Sequence, residues 1–249
     1  MRNLFLLLVT SFTLYSCDKS INGRIIDNFN KPVENVEIKI TNSGYESKSD
    51  NKGKFKIDYA AGKFKIVFKN HNYIDVEKEL EINEQKNYPL GQIEMIRIPD
   101  STGLYFKGND DFIQIPKITL VPAKKVLYSM LTGYVDQISY YLPKVSIKEI
   151  LIDSIKAVEF YNFLDLPVIL LLSDNGSVAI QSQGPTYLSK VNGIQVSETI
   201  TNLIGNATIS MFTPQLDKTY VYINFKDEYG FQRMSNTAFA FKFVLKKKE

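Results

Sequence analysis

The sequence predicts an all-β protein with two β-rich domains. Apolar and polar side chains alternate with a period of two along many segments, which is the pattern of a half-exposed strand. Short runs of Asn, Asp, Gly and Pro separate these segments, as expected for turns. The 16 Phe and 15 Tyr residues also favour strands, as do the many Ile and Val residues.

The N-terminus has the features of an export signal. Arg2 precedes an apolar stretch within residues 4–14, which is too short to span a bilayer. A small residue then precedes Cys17, the only cysteine of the chain. Together these residues resemble a bacterial lipoprotein signal, in which the peptide is cut before the cysteine. The resemblance implies a signal peptide at residues 1–16, and a lipidated cysteine with a short spacer at residues 17–20.

An alternative is an ordinary secretory signal in which Cys17 is an incidental thiol. Ordinary signals have small residues at the first and third positions before the cleavage site, whereas Leu14 occupies the third position here. The lipoprotein resemblance implies a thioether-linked diacylglycerol on Cys17 and an amide-linked third chain. At about 0.8 kcal/mol per buried methylene group, such chains form a stable anchor. We therefore expect a membrane-anchored protein of the cell envelope, with the outer membrane favoured and no cofactor besides the covalent lipid.

The charge balance excludes one class of partner. Thirty Lys and Arg residues against 27 Asp and Glu residues give a net charge of +3, whereas a nucleic-acid-binding protein needs a concentrated basic face. The one basic run is Lys246 to Lys248, for which we expect a solvated tail. The alternative for this run is a contact with anionic lipid or polysaccharide.

Residues 21–95 predict a compact β-sandwich. Strands are expected within five segments, at 23–27, 32–40, 49–57, 63–69 and 76–82.

Four pieces of this domain occur in a specific order: Gly23-x-Ile25-x-Asp27, Pro32-Val33-x-x-Val36-x-Ile38, Asp50-x-x-Gly53-x-Phe55-x-Ile57, and Phe64-x-Ile66 leading to Tyr73. This order resembles the carboxypeptidase regulatory-like domain, which implies a transthyretin-like sandwich. Such domains are accessory modules of enzymes, transporters and binding proteins alike. The resemblance therefore implies a fold and not an activity.

Residues 96–249 predict a second β-rich domain, either a sandwich or a barrel. Its predicted strands are at 103–106, 112–115, 118–121, 158–163, 168–172, 178–181, 207–212, 219–225 and 239–245.

Two segments of this domain carry more specific predictions. Asn175-Gly176 lies between apolar runs, which predicts a type I′ hairpin within residues 170–180. Within residues 124–142, apolar residues recur at spacings of three and four, which is typical of a helix. Gly133 and the pair Tyr140-Tyr141 favour strands instead, so both alternatives stay open.

Nucleophilic catalysis is hard to build from this chain. His71 is the only histidine, and the chain has no Gly-x-Ser-x-Gly motif. With Cys17 lipidated, zinc sites of the usual His and Cys type are also excluded. We expect His71 to be a loop residue and the protein to be no enzyme.

Carboxylates offer the remaining route to chemistry, because two side chains suffice for glycoside hydrolysis. The candidates are Asp110, Asp111, Asp153, Glu159, Asp165, Asp227 and Glu228. Most of them lie in polar turns, where Asp is expected for backbone reasons alone.

Calcium and aromatic binding sites are also conceivable. Oxygen donors cluster in two runs, Asp50-Asn51-Lys52-Gly53 and Asn109-Asp110-Asp111. Neither run has the spacing of an EF-hand loop, so we expect turns and no metal site.

An aromatic binding face would use Tyr220, Tyr222, Tyr229 and Phe231, although core packing is the usual role of such residues.

Three hypotheses about function follow. The first is a lipid-anchored, non-enzymatic module that binds an envelope protein or a glycan. The second is a lipid-anchored, carboxylate-dependent hydrolase with its site in residues 100–249. The third is an accessory subunit of an outer-membrane transport or assembly complex.

Overall fold

The computed structural model describes residues 19–83, 86–119, 121–122, 126–130, 133–141, 147–164, 168–173, 177–183, 187–192, 194–195, 199–202, 208–216, 218–227 and 232–247. The chain divides into two compact units, residues 1–98 and 99–249. Every regular element among the described residues is a strand, which confirms the all-β prediction. Across those same residues, no helix has the length and apolar character to cross a membrane.

The first unit contains seven strands among its described residues: β1 (Ser20–Asp27), β2 (Glu37–Ile40), β3 (Glu46–Lys48), β4 (Lys54–Asp58), β5 (Gly62–Lys69), β6 (Val76–Ile82) and β7 (Tyr88–Met95). They form a three-stranded sheet in the order β4-β1-β7 and a four-stranded sheet in the order β3-β2-β5-β6. β1 and β7 are parallel, whereas all the other pairs are antiparallel.

The two sheets of this unit bury their facing sides against each other. Ile25 on β1, Ile38 on β2 and Ile66 on β5 are fully buried, and all three belong to one apolar cluster. The rings of Phe55 and Phe68, one from each sheet, lie 5.5 Å apart in an edge-to-face arrangement. The predicted two-residue period is confirmed on β2, because its Ile residues are buried while its Glu and Lys residues are exposed.

The turn before β4 depends on an aspartate and a glycine. One oxygen of the Asp50 carboxylate accepts the backbone N–H groups of Lys52 at 2.9 Å and Lys54 at 2.8 Å. Gly53 has a positive φ of 73° and its carbonyl accepts the N–H of Ile25 at 2.7 Å. The Asp50 side chain thus organises this turn through backbone contacts, as turn chemistry predicts.

The segment that follows β7 remains attached to the first unit. The N–H of Ile74 donates to the carbonyl of Ile96, and the N–H of Ile98 donates to the carbonyl of Asn72. The side-chain oxygen of Asn28 accepts the N–H of Arg97 at 3.1 Å. The residues between β7 and position 98 therefore pair with the loop before β6.

The second unit carries sixteen strands among its described residues: β8 (Leu104–Lys107), β9 (Phe112–Gln114), β10 (Lys117–Thr119), β11 (Val121–Pro122), β12 (Val126–Met130), β13 (Gly133–Tyr141), β14 (Lys148–Ile152), β15 (Val158–Asn162), β16 (Val168–Ser173), β17 (Ser177–Gln183), β18 (Tyr187–Asn192), β19 (Ile194–Gln195), β20 (Thr199–Asn202), β21 (Thr208–Phe212), β22 (Thr219–Asp227) and β23 (Gln232–Leu245).

These strands form three sheets. The first has the order β20-β21-β15-β8-β9, and the second has the order β10-β23-β22-β16-β19, with β14 also paired to β23. The third contains β11, β12, β13, β17 and β18. The first two sheets pack face to face, since Phe160 of β15 stacks on Phe241 of β23 with ring centroids 4.7 Å apart. A layer of aromatic rings therefore fills this sandwich.

Two predictions for the second unit are decided by the pairing. The segment 124–142 contains the antiparallel strands β12 and β13, so the strand alternative is correct. The hairpin predicted within residues 170–180 is wrong, because β16 pairs with β22 and β19 while β17 pairs with β13 and β18. Residues 174–176, with the Asn-Gly pair, lie outside the described residues. The consecutive strands β16 and β17 belong to different sheets. A turn motif in the sequence does not indicate whether the strands on either side of it pair with each other.

Replacement of Gly53 by Ala should destabilise the protein by at least about 2 kcal/mol, because an L-residue resists a positive φ. The new Cβ would also collide with the carbonyl oxygen of Ile25. Urea unfolding measures the loss. Gly44→Ala is the matched control, since no atom lies within 4 Å of a Cβ at that position. Equal stability of the two variants would contradict the role assigned to Gly53.

Candidate functional site

A groove of about 750 Å³ opens on the second unit. We call it the edge groove. One wall is residues 106–111 with 113, at the turn between β8 and β9, and the other is β14. The loop 153–157, the start of β15 and Lys246 complete it. The edge groove therefore lies where the margins of the two packed sheets meet.

The floor of the edge groove is apolar and fixed by the core. Phe106, Ile150, Ile152 and Val158 line it, and each is at most 9% exposed. All four belong to the apolar cluster between the two sheets. Because such close-packed side chains move little, the shape of the groove follows from the packing beneath it.

The structure brings four of the seven candidate carboxylates to this groove, namely Asp110, Asp111, Asp153 and Glu159. Asp110 and Asp111 lie in the turn between β8 and β9, whereas Asp153 follows β14 and Glu159 is on β15. These segments are remote in sequence, and the pairing and packing of the strands bring them together.

Glu159 is held by two partners on neighbouring positions of one sheet. Its Oε2 lies 2.9 Å from the Nζ of Lys107 and accepts the hydroxyl of Tyr161 at 2.9 Å. Lys107 and Glu159 are about three-quarters buried, and Tyr161 is buried. The ion pair with Lys107 and the hydrogen bond from Tyr161 together fix the position of the Glu159 side chain in the groove.

Asp153 is also ion-paired. Its Oδ1 lies 2.9 Å from the Nζ of Lys246, and the hydrogen bond from Lys246 lowers the pKa of the Asp153 carboxyl, with a smaller contribution from Asn109. The backbone N–H of Lys246 donates to the carbonyl of Ile152 at 3.0 Å. Lys246 is therefore part of the folded unit, and the prediction of a solvated tail is wrong for this residue.

Asp110 and Asp111 form the turn that connects β8 and β9. The carbonyl of Asp111 accepts the N–H of Gly108 at 3.0 Å, and its carboxylate accepts the N–H of Phe112 at 2.6 Å. These contacts explain the acidic turn by backbone chemistry. Within the described residues, no group of three His, Cys, Asp or Glu side chains could hold a metal ion.

Two lysines in the edge groove differ from its other charged residues. Lys148 and Lys156 are exposed and line the groove, yet the ammonium group of neither side chain makes an ion pair or a hydrogen bond with any described residue. Glu149, which lies beside Lys148, is already paired with Lys242 at 2.9 Å. The groove thus presents two unpaired ammonium groups beside carboxylates of which three, Glu149, Asp153 and Glu159, are paired with lysines.

This arrangement suits binding better than hydrolysis. A glycosidase needs one carboxyl that remains protonated near neutral pH, which requires a raised pKa. In the edge groove, Asp153 has a lowered pKa, and Glu159 lies against an ammonium group. The lowered pKa of Asp153 is the opposite of what a general acid needs.

Two of the four residues of the predicted aromatic binding face are described, and both are core residues. Tyr220 and Tyr222 are each 1% exposed and pack in the sandwich core, so they are core residues and the prediction is wrong for both. Burial raises the pKa of the Tyr220 hydroxyl, which accepts the N–H of Gln215 at 2.6 Å. Tyr229 and Phe231 lie outside the described residues.

The other candidate residues lie elsewhere. His71 is exposed in the turn before β6. Asp227 ends β22, away from the edge groove, and its side chain lies outside the described set. Cys17, Asp165 and Glu228 also lie outside the described residues.

Sequence reasoning missed three lysines of the edge groove, Lys107, Lys148 and Lys156, and it missed Tyr161, which donates to Glu159. Lys107 and Glu159 face each other because β8 and β15 pair with Phe106 opposite Phe160. No signal in the sequence gives that register. Only the apolar alternation of Leu104, Phe106, Val158 and Phe160 indicated that both segments are strands.

The architecture defines a class of protein, a chain with two β-sandwich units. Residues 21–95 match the family model of the CarboxypepD_reg-like domain, and they are a carboxypeptidase regulatory-like domain. This finding confirms the resemblance inferred from the four sequence pieces. A search of curated proteins finds no match for the sequence.

Three solved structures have weak similarity to the chain. A type II cohesin–X-dockerin complex from Acetivibrio cellulolyticus is 19% identical with a TM-score of 0.29, and the alignment covers 32% of this chain and 58% of that chain. A protein described provisionally as carbohydrate-binding, from Bacteroides uniformis, is 12% identical with a TM-score of 0.27 over 90% of this chain and 99% of that one. A DUF3823 family protein from Parabacteroides merdae is 9% identical with a TM-score of 0.24 over 90% and 98%. Similarities this low assign no function to the chain.

The pKa of Asp153 should lie below that of an ordinary aspartate, and Lys246→Met should raise it, because the main cause of the shift is then removed. The lowered pKa stabilises the fold above the unfolded-state pKa, and this contribution is lost as the pH falls through the folded-state pKa. An NMR titration of the Asp153 carboxyl measures both values. Lys156→Met is the control and should leave Asp153 unchanged. An unshifted carboxyl in the parent protein would contradict the ion pair.

Proposed function

We propose that this protein is a lipid-anchored, non-enzymatic binding protein of the cell envelope, and that the edge groove of its second unit holds the partner. The observation that carries the binding role is the charge arrangement of that groove. Its carboxylates Glu149, Asp153 and Glu159 are each paired with a lysine, while Lys148 and Lys156 are unpaired among the described residues.

The anchor part of the proposal rests on Cys17 and its sequence context. The carboxypeptidase regulatory-like domain begins at residue 21, directly after a spacer of three residues at positions 18–20. A lipid on Cys17 would therefore tether a folded domain close to the bilayer. We place the protein at the outer membrane, where it would present the second unit to envelope components.

A protein partner fits the edge groove better than a glycan. Sugars are commonly held on exposed aromatic faces, and the one aromatic side chain lining this groove is Phe106, which is 7% exposed on the floor. The exposed side chains of the groove are instead charged or aliphatic, apart from the polar residues Asn109 and Ser154. A role as an accessory subunit in an outer-membrane transport or assembly complex is one form of such protein binding.

The hydrolase hypothesis has one observation in its favour, the gathering of four carboxylates in one groove. The lowered pKa of Asp153 argues against it, because a general acid must keep its proton. We therefore propose binding and not catalysis.

The Cys17→Ala variant should move from the membrane fraction to the soluble envelope fraction, because the lipid anchor can no longer be attached. Cell fractionation followed by immunoblotting measures the distribution, and incorporation of labelled fatty acid should be lost in parallel. Lys19→Ala is the control and should stay in the membrane fraction. Membrane retention of Cys17→Ala at the parental level would refute the anchor.

Charge reversal at Lys148 and Lys156 should weaken partner binding by about tenfold or more, because one charge-assisted contact contributes roughly 1.5–3 kcal/mol. The double variant is compared with the parent by surface plasmon resonance against two probes, detergent-solubilised envelope proteins and purified envelope polysaccharide. Lys52→Glu with Lys54→Glu, on the first unit, is the matched control. If neither probe binds the parent protein, or if reversal in the groove has no larger effect than the control, the groove is not the binding site.

A further inference from the structure

β14 lies at the margin of its sheet and has one unpaired edge. It pairs in parallel with the end of β23, with Lys148 opposite Phe241 and Ile152 opposite Leu245. No other described strand pairs with it. One row of its backbone groups therefore has no strand partner within the described part of the chain.

The register identifies which backbone groups face outward. The carbonyl of Ile152 accepts the N–H of Lys246, so the peptide groups of Ile152 point toward β23. In a strand, successive residues point their peptide groups to opposite sides. Ile150 thus also points toward β23, whereas the N–H and carbonyl groups of Glu149 and Leu151 point to the open edge.

The open edge runs along the edge groove. Every residue of β14 lines that groove, and the strand is five residues long, or about 16 Å at the usual rise per residue. On the outer face of the strand, Leu151 is 55% exposed, and Ile113 on the opposite wall is 37% exposed. The groove therefore combines unpaired backbone groups with apolar contacts on both walls.

The two unpaired lysines of the groove indicate the charge of the segment that binds there. Lys148 lies at the first residue of β14, and Lys156 follows its last residue by four positions. Both are unpaired among the described residues, whereas Glu149, Asp153 and Glu159 each have a lysine partner. An extended segment that lies along β14 would meet one free ammonium group near each end.

We infer that the edge groove binds an extended, acidic peptide segment of a protein partner, which adds as a strand to the open edge of β14. This inference rests on the proposed binding function and specifies its partner. Backbone hydrogen bonds to Glu149 and Leu151 supply affinity, as in other cases of strand addition. Carboxylates of the peptide pair with Lys148 and Lys156, and its apolar side chains contact Leu151 and Ile113.

The test uses the mature protein with Cys17 replaced by Ser, and the probe is a display library of random twelve-residue peptides. Selection should enrich peptides that alternate apolar and acidic residues. Selection on the Lys148→Glu, Lys156→Glu double variant should instead enrich basic peptides. Enrichment of no peptide class on the parent protein would overturn the inference.

Leu151→Pro tests the backbone contact directly. Proline removes the outward N–H of residue 151, and its ring obstructs the open edge without breaking a bond to β23, as proline is tolerated at strand edges. The enriched peptides should bind this variant about tenfold more weakly or worse, measured by fluorescence polarisation. Leu151→Ala keeps the N–H and should lose less. If both variants bind the peptides equally, strand addition is refuted.

Two further outcomes separate this inference from the proposed function. If the parent binds envelope polysaccharide, loses it on charge reversal and selects no peptide, the groove is a binding site but not for a strand. If the parent forms dimers that Leu151→Pro abolishes, the occupant is a second copy of this chain, and the inference is again overturned. Thermal unfolding of Leu151→Pro close to that of the parent establishes that the variant is folded.

Discussion

The aromatic layer between the two packed sheets of the second unit is the interaction on which that unit depends. Phe160 is fully buried and contacts rings from both sheets, including Phe212 beside it and Phe241 across from it. Aromatic pairs at these distances add stability beyond the area they bury. The chain has one cysteine, so no pair of its own cysteines can form a disulfide to stabilise this unit.

The same layer determines where the edge groove lies. β23 spans 14 residues and pairs with β22 along one edge, while β10 and β14 share the other. Ile150 and Ile152 of β14 point into the aromatic core, which aligns that strand with the sheet margin opposite β8. The groove is the space left between the two margins, so its floor is core, and its walls carry charged side chains together with the exposed apolar side chains of Leu151 and Ile113.

The ion pairs of the groove and those of the first unit have different consequences. On the first unit, β5 and β6 carry exposed pairs such as Lys63 with Glu81 at 3.2 Å and Lys65 with Glu77 at 2.9 Å. Exposed pairs of this kind contribute about 0–1 kcal/mol each to stability, and their charged side chains make this face of the sheet hydrophilic. The Lys107–Glu159 pair is about three-quarters buried. Because Tyr161 also donates a hydrogen bond to Glu159, the positions of the Lys107 and Glu159 side chains in the groove are fixed.

The sequence by itself determined the local structure of the chain. Alternation of apolar residues predicted strands such as β5 and β22, and the Asp50 to Gly53 turn followed from residues that act on their own backbone. The four ordered pieces within residues 21–95 also predicted the family of the first domain. Only the tertiary structure decided which strands pair. It made residues 126–130 and 133–141 strands, separated β16 from β17, buried Tyr220 and Tyr222, and brought Lys107 opposite Glu159. Local propensity acts over a few residues, whereas strand register is set by contacts between segments that are remote in sequence, and the edge groove consists of such contacts.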